Sequence, residues 1–266
     1  MKLKCECCNH AVVDMRDVVW RKSVGSINTD GVCLKAEIDG NYLKLSGYDV
    51  QRGIYGMESL HEYIAMRVGQ VLDFNVPDGN IKRALVCVEG EDYETVVFTS
   101  FTYKKPGYSR VAFEDYYAAY RTSNRETALD FCKRFGWADY IYKMFVFDYL
   151  IINRDRHGAN LEVFKNEKAF LSPFFDNGLS FCLDAVTGFD PLLPRKVNNF
   201  IGKKGEQGLE ENLSEINKRL DFNRLRPEHF NEIFSGVDEY IEAHHQNKIW
   251  EILLGRWENV KDFCDA

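Results

Sequence analysis

Along the first hundred residues, apolar positions recur mostly at every second residue. Val32, Leu34, Ala36 and Ile38 alternate with polar or small residues, Asp39-Gly40 follows, and Tyr42-Leu43-Lys44-Leu45 resumes the pattern. Alternation on both sides of Asp-Gly predicts a hairpin, because that pair accepts the positive φ angles of a tight turn. Residues 82–88 and 95–102 read as two further strands. One helix interrupts them. Met57, Leu60, Ile64, Val68 and Val71 share a helical stripe, which should stop before Asn75-Val76-Pro77. After Lys104-Lys105-Pro106-Gly107 the period lengthens, and residues 111–121, 125–135 and 137–152 read as three helices. A strand pair follows at 161–164 and 169–175, and from about Leu213 the chain reads helical again. The expected class is α+β in two lobes. Residues 1–103 form a strand-rich N-terminal lobe with one helix, and 104–266 form a helical C-terminal lobe. Clefts between such lobes are common ligand sites.

Composition narrows the function classes. The 266 residues are 45 % hydrophobic and 28 % charged, which is ordinary for a globular chain and excludes disordered or low-complexity classes. Lysine and arginine total 34 against 41 acidic residues, a net charge of −7. That balance argues against a general nucleic-acid or anionic-membrane binder, which needs a basic surface. The longest apolar stretch, residues 140–152, is broken by Lys143 and Asp148, whereas a spanning helix needs about 20 mostly apolar residues. Met-Lys-Leu-Lys-Cys-Glu-Cys-Cys has no apolar signal-peptide core, so a cytoplasmic location is expected, with the eight cysteines reduced.

The candidate chemistry lies where a hydrophobic helix gives way to Asp155-Arg156-His157-Gly158-Ala159-Asn160. The strand that follows turns near residue 167 and returns to Asp176-Asn177-Gly178. A hairpin brings its ends together, so Asn160 and Asp176 should be neighbours, with Asp155 five residues upstream of Asn160. Two carboxylates and an amide oxygen then converge. Hard oxygens at such a place suit magnesium. This is the arrangement that phosphoryl transfer uses, with one aspartate orienting the attacking hydroxyl while an asparagine and a second aspartate hold metal. Taken as a local pattern alone, Asp155 and Asn160 read equally well as capping and turn residues. His157 reads as a group that orients this loop or touches phosphate. Gly25-Ser26-Ile27-Asn28-Thr29-Asp30-Gly31 is a candidate phosphate-covering loop, equally readable as a plain surface loop, and is neither a Gly-x-Gly-x-x-Gly nor a Walker pattern.

The run from Phe147 to Asn160, followed by Leu171-Ser172-Pro173-Phe174-Phe175-Asp176, resembles the HipA-like serine/threonine kinases. Asp-Arg-His-x-x-Asn is also similar to the catalytic loop of the phosphatidylinositol 3/4-kinases. Upstream, His61-Glu62-Tyr63 and Phe74-Asn75-Val76-Pro77-Asp78 are similar to the family's N-lobe helix and its exit. The resemblance runs in order from about Gly25 to Ser180 and is to the compact members, without the extra N-terminal subdomain of long HipA proteins. It implies a two-lobed protein-kinase-like fold. It also implies an ATP- and magnesium-dependent enzyme that phosphorylates serine or threonine on a protein and can phosphorylate itself, with Ser26 and Thr29 as candidate acceptors. Asp155 is then the catalytic base, Asn160 and Asp176 the Mg2+ ligands, Lys44 the phosphate contact and Glu62 its helix partner. Thr99-Ser100-Phe101 becomes the hinge that offers backbone groups to adenine. The metal aspartate precedes Asn177-Gly178 where many kinases have Phe-Gly. An antitoxin or other regulatory partner is implied by the resemblance alone. A lipid or small-molecule kinase and a nucleotide-binding pseudokinase module are the alternatives.

Elsewhere, Cys5, Cys7, Cys8 and His10 are crowded but lack the paired Cys-x-x-Cys knuckles of structural zinc sites. Arg195-Lys196 and Lys203-Lys204 stand where a kinase would receive its substrate; a solvated loop is the plainer reading.

Overall fold

The computed structural model describes residues 2–4, 11–22, 33–181, 183–184, 188–189, 197–204 and 207–265. Eight strands build the main sheet: β1 (Lys2–Lys4), β2 (Ala11–Met15), β3 (Arg21–Lys22), β4 (Cys33–Ile38), β5 (Asn41–Asp49), β6 (Gly53–Tyr55), β7 (Gly79–Val88) and β8 (Glu91–Ser100). Their order is β1-β2-β7-β8-β5-β4-β3, with β6 added on β5. Only the β2–β7 pairing is parallel among them. The expected hairpin joins β4 to β5, with Asp39 at φ 52° and Gly40 at φ 79°. A second tight turn of the same kind, Glu89 at φ 52° and Gly90 at φ 90°, joins β7 to β8. It sets those strands at 79–88 and 91–100 rather than at 82–88 and 95–102.

The helix α1 (Glu58–Val71) crosses one face of this sheet. It ends before Asn75-Val76-Pro77, as its stripe predicts, but the stop is made earlier. Asp73 takes φ 58°, its N–H donates to the Gln70 carbonyl, and the Phe74 N–H donates to the Gly69 carbonyl. That is a Schellman closure, which satisfies carbonyls that have no partner inside the helix.

The rest of the chain is largely helical: α2 (Phe113–Tyr120), α3 (Ala128–Arg134), α4 (Ala138–Leu150), α5 (Gly208–Leu213), α6 (His229–Phe234) and α7 (Ala243–Val260). The helix expected from residue 111 begins at Phe113. Residues Ser109–Ala112 instead form β9, whose Val111 and Ala112 pair with Val163 and Glu162 of β10 (Glu162–Lys165). Strand β11 (Ala169–Leu171) completes that small sheet and stops before Pro173, short of the expected residue 175. Two-residue strands β12 (Leu183–Asp184) and β13 (Gly188–Phe189) pair antiparallel beyond it. The expected C-terminal helical run is broken at residues 214–228, where Phe222 is buried against Phe74 and Trp257.

The fold is thus two-lobed α+β, with two apolar cores. The smaller one lies on one face of the main sheet, around Leu34, Leu43, Leu45, Val86 and Val97. The larger one joins α1 to the helical lobe through Leu60, Ile64, Phe74, Phe147, Phe174 and Ile233. The described cysteines, Cys33, Cys87, Cys132 and Cys264, are free thiols. No helix among the described residues is long and apolar enough to cross a membrane.

Candidate nucleotide site and catalytic loop

Strand β5 carries Lys44 to the face of the sheet that meets α1. The Lys44 ammonium donates to Glu62 Oε2 at 2.8 Å and to Asp176 Oδ1. Lys44 and Glu62 are only 8 % and 4 % exposed. The backbone around them is locked to α1, since Ser59 Oγ donates to the Lys44 carbonyl and the Ser59 N–H donates to Ser46 Oγ. Glu62 lies off the apolar stripe of its helix because it turns into this polar seam. Burial opposes charge on Lys44, but the carboxylates of Asp176 and Glu62 outweigh it and hold the ammonium well above its ordinary range.

Asp176 sits at φ 59°, a left-handed backbone for a residue with a side chain. Its Oδ2 accepts a second ammonium, Lys35 Nζ, at 2.8 Å. Burial alone would push this carboxyl up; the two lysines prevail and hold it far below the usual carboxylate range. Lys35, Lys44, Glu62 and Asp176 line one end of a cavity. The aromatic rings of Tyr42, Tyr103 and Phe175 line the same cavity, the last two stacked at 5.7 Å. Two buried oxygens at this cavity, Ser100 Oγ and Glu162 Oε2, have no hydrogen-bond partner. Burial raises the Glu162 carboxyl against the pull of Arg110, which lies 3.4 Å away.

Arg156 assembles the loop beneath. It is 2 % exposed and reaches out from the middle of Asp155-Arg156-His157. Its Nη2 and Nε donate to Asp148 on α4 at 2.7 and 3.1 Å. Its Nη1 donates to the Phe175 carbonyl, and Nη2 also donates to Asn177 Oδ1 at 2.6 Å. One side chain therefore ties the end of α4, the loop and the backbone beside Asp176. Burial works against the charge of Arg156, and the Asp148 carboxylate more than restores it. Asn177, which follows Asp176, accepts from Arg156 through its amide oxygen and donates to the Phe174 carbonyl through its amide nitrogen, holding the segment inward. Helix α4 closes into this loop through Ile152 at φ 53°, a conformation costly for a β-branched residue, with the Asn153 N–H on the Asp148 carbonyl.

Within the loop, Asn160 Nδ2 donates to the Asp155 carbonyl at 2.8 Å, which leaves the amide oxygen as its acceptor. His157 Nδ1 accepts the Ala159 N–H at 3.2 Å, so the ring proton belongs on Nε2, which faces Asp155 Oδ2 at 3.9 Å. Asp155 Oδ1 accepts from Asn198 at 3.0 Å, and the Asn198 and Phe200 N–H groups run along the Arg154 and Arg156 carbonyls.

Among the residues singled out in the sequence, the structure therefore joins Lys44, Glu62 and Asp176 directly, and Asp155, His157 and Asn160 in the adjoining loop. Thr99 and Phe101 do not line the cavity; Ser100 does, because side chains alternate along β8. The Phe101 N–H donates to the Asp78 carbonyl at 2.7 Å. Gly25 and Ser26, with Thr29, Cys5, Cys7, Cys8, His10, Arg195 and Lys196, lie outside the described residues. Lys203 pairs with Glu215 at 3.8 Å. The sequence reading assigns no role to Arg156, Asp148, Lys35 or Glu162. Asp148 left a signal, a charge in the middle of an apolar helix.

No protein-family model matches the chain, and no curated protein matches it in sequence. A solved structure does. The Helicobacter pylori proinflammatory kinase CtkA superposes with a TM-score of 0.56 at 16 % identity, over 95 % of this chain and 96 % of that one. The two chains share a fold. HipA of Shewanella oneidensis, solved with HipB and operator DNA, gives a TM-score of 0.45 at 13 % identity, over 84 % of this chain and 60 % of HipA.

Proposed function

We propose that this chain is an ATP- and magnesium-dependent phosphotransferase of HipA-like type that phosphorylates serine or threonine on a protein. The observation that carries the reading is the buried Lys44–Glu62–Asp176 chain at one end of a cavity, above a loop bearing Asp155 and Asn160, in a fold shared with a kinase. We read residues 1–103 and 104–266 as its two lobes.

The donor set fits magnesium. Asp176 is ionised at neutral pH, and the amide nitrogen of Asn160 is engaged, so its oxygen is the group left for a cation. Two protein oxygens suffice for an ion that keeps waters and takes phosphate oxygens. Bound there, magnesium would neutralise charge developing on the phosphates. The chain's own groups do the rest. Lys44, fixed by Glu62, holds the phosphates. Tyr103 and Phe175 flank the base, within reach of Ser100 and Glu162. Asp155, oriented by Asn198, takes the proton of the attacking hydroxyl. As the new O–P bond forms, the bond from the γ-phosphorus to the bridging oxygen breaks and its electron pair leaves with ADP.

The test is incubation with magnesium and labelled ATP, with and without cell lysate, beside Asp155→Ala and Asp176→Ala. Label on the chain or on a lysate protein, lost in both variants while circular dichroism stays unchanged, is the expected result. Near-wild-type labelling in either variant overturns the mechanism. Magnesium-dependent ATP binding without any label points instead to a lipid or small-molecule acceptor, or to a binding module.

A further inference from the structure

Lys35 stands directly opposite Lys44 in the β4–β5 ladder. Like charges in that position repel. The register shifts between Cys33 and Lys35, an irregularity of the kind that re-aims a side chain. The two ammonium groups are reconciled by Asp176, which gives one oxygen to each.

The two lysines are otherwise unlike. Lys44 is buried and has a second anion, Glu62. Lys35 has a side chain 37 % exposed, and Asp176 is its one ion-pair partner among the described residues. It lines both the cavity and the adjoining groove bounded by Val19, Arg21 and Ile38. In this cluster Lys35 and Lys44 balance Glu62 and Asp176. A divalent cation on Asp176 would leave Lys44 with Glu62 and would take from Lys35 its ion-pair partner; Glu37, on the same groove, is held by Lys104. The anion within its reach is then the triphosphate that the cation accompanies.

We propose that Lys35 is a second phosphate-binding lysine, held on Asp176 by their ion pair and transferred to the triphosphate of ATP when a cation takes Asp176. The inference rests on the phosphotransferase reading. Its consequence is coupling. Lys35 opposes the cation alone and favours the cation with nucleotide, so each ligand strengthens the other, and reciprocally.

The test uses calorimetry with magnesium and a non-hydrolysable ATP analogue, calorimetry with adenosine, and paramagnetic resonance with Mn2+ alone. Wild type is compared with Lys35→Met, which keeps most of the stem, and Lys35→Arg, which keeps the charge. Lys35→Met should bind the analogue about tenfold more weakly, as for a lost charge-assisted hydrogen bond. It should bind adenosine unchanged and Mn2+ alone several-fold more tightly, and Lys35→Arg should recover analogue binding. Unchanged analogue affinity in Lys35→Met overturns the proposal. So does an equal loss for adenosine, which would mean a damaged pocket, or unchanged Mn2+ affinity. A wild-type chain that binds neither nucleotide nor adenosine fails the phosphotransferase reading and takes this inference with it. Wild-type binding matched by Lys35→Met fails the Lys35 role only.

Discussion

His61 is one residue from Glu62 and faces a different neighbour. Its Nδ1 lies 3.2 Å from the Gly178 carbonyl, its ring meets Phe181 edge-on, and its buried Nε2 has no partner. Burial pushes its pKa down from 6.5 to about 4. As pH falls below 6.5 the unfolded chain takes a proton that the folded chain refuses. Stability is therefore complete above that value and declines toward pH 4, by about 3 kcal/mol from this residue. Urea midpoints at pH 7.5 and 5 should fall further apart for the wild type than for His61→Gln; equal separations would show that His61 takes no part. The site was unevenly legible at this scale. Asp155, Asn160 and Asp176 follow from a loop and a hairpin that are close in sequence. Arg156 stood in the same motif without a role, because its partners Asp148, Phe175 and Asn177 are defined only by packing. Lys35 looked like the polar half of a strand's alternation, which it also is.

Helix α1 presents its Glu62 correctly only if its C-terminal end is fixed. Three contacts fix it: the Schellman closure at Asp73, the Asn223 side chain donating to the Val71 carbonyl at 3.1 Å, and Val76 folded back onto Gly69. A Cβ on Gly69 would lie 2.4 Å from a methyl of Val76. Gly69→Ala should thus destabilise the chain by about 1 to 3 kcal/mol despite alanine's better helix propensity. Gly69→Ala with Val76→Ala should recover part of the loss, read as the shift in thermal midpoint; a stabilised single variant would refute the tight approach. The sequence announced the helix by its stripe and its end by Asn-Val-Pro. It could not announce β9, whose four residues form a strand because β10 offers them an edge. Local periodicity there was equally good for a helix, and the partner lies some fifty residues away.

At the scale of the whole molecule, the strand-first, helix-later order was readable from period alone. Which core owns α1 was not. It packs on β5, β7 and β8 of the sheet and on α6, yet Leu60, Ile64, Ala65 and Val68 belong to the larger apolar core, shared with the helical lobe. Hydrogen exchange under rising denaturant should accordingly open α1 together with α4, not with β2 and β7; the opposite grouping would place it with the sheet. This membership has a mechanical consequence for the Lys44–Glu62 bond. Its lysine rides on a strand between Leu43 and Leu45 of the small core, and its glutamate is embedded in the large one. A tilt of the sheet across α1 would be a shear rather than a swing. The bond crosses that plane like a pin, so its intact length gauges how far the sheet has slipped.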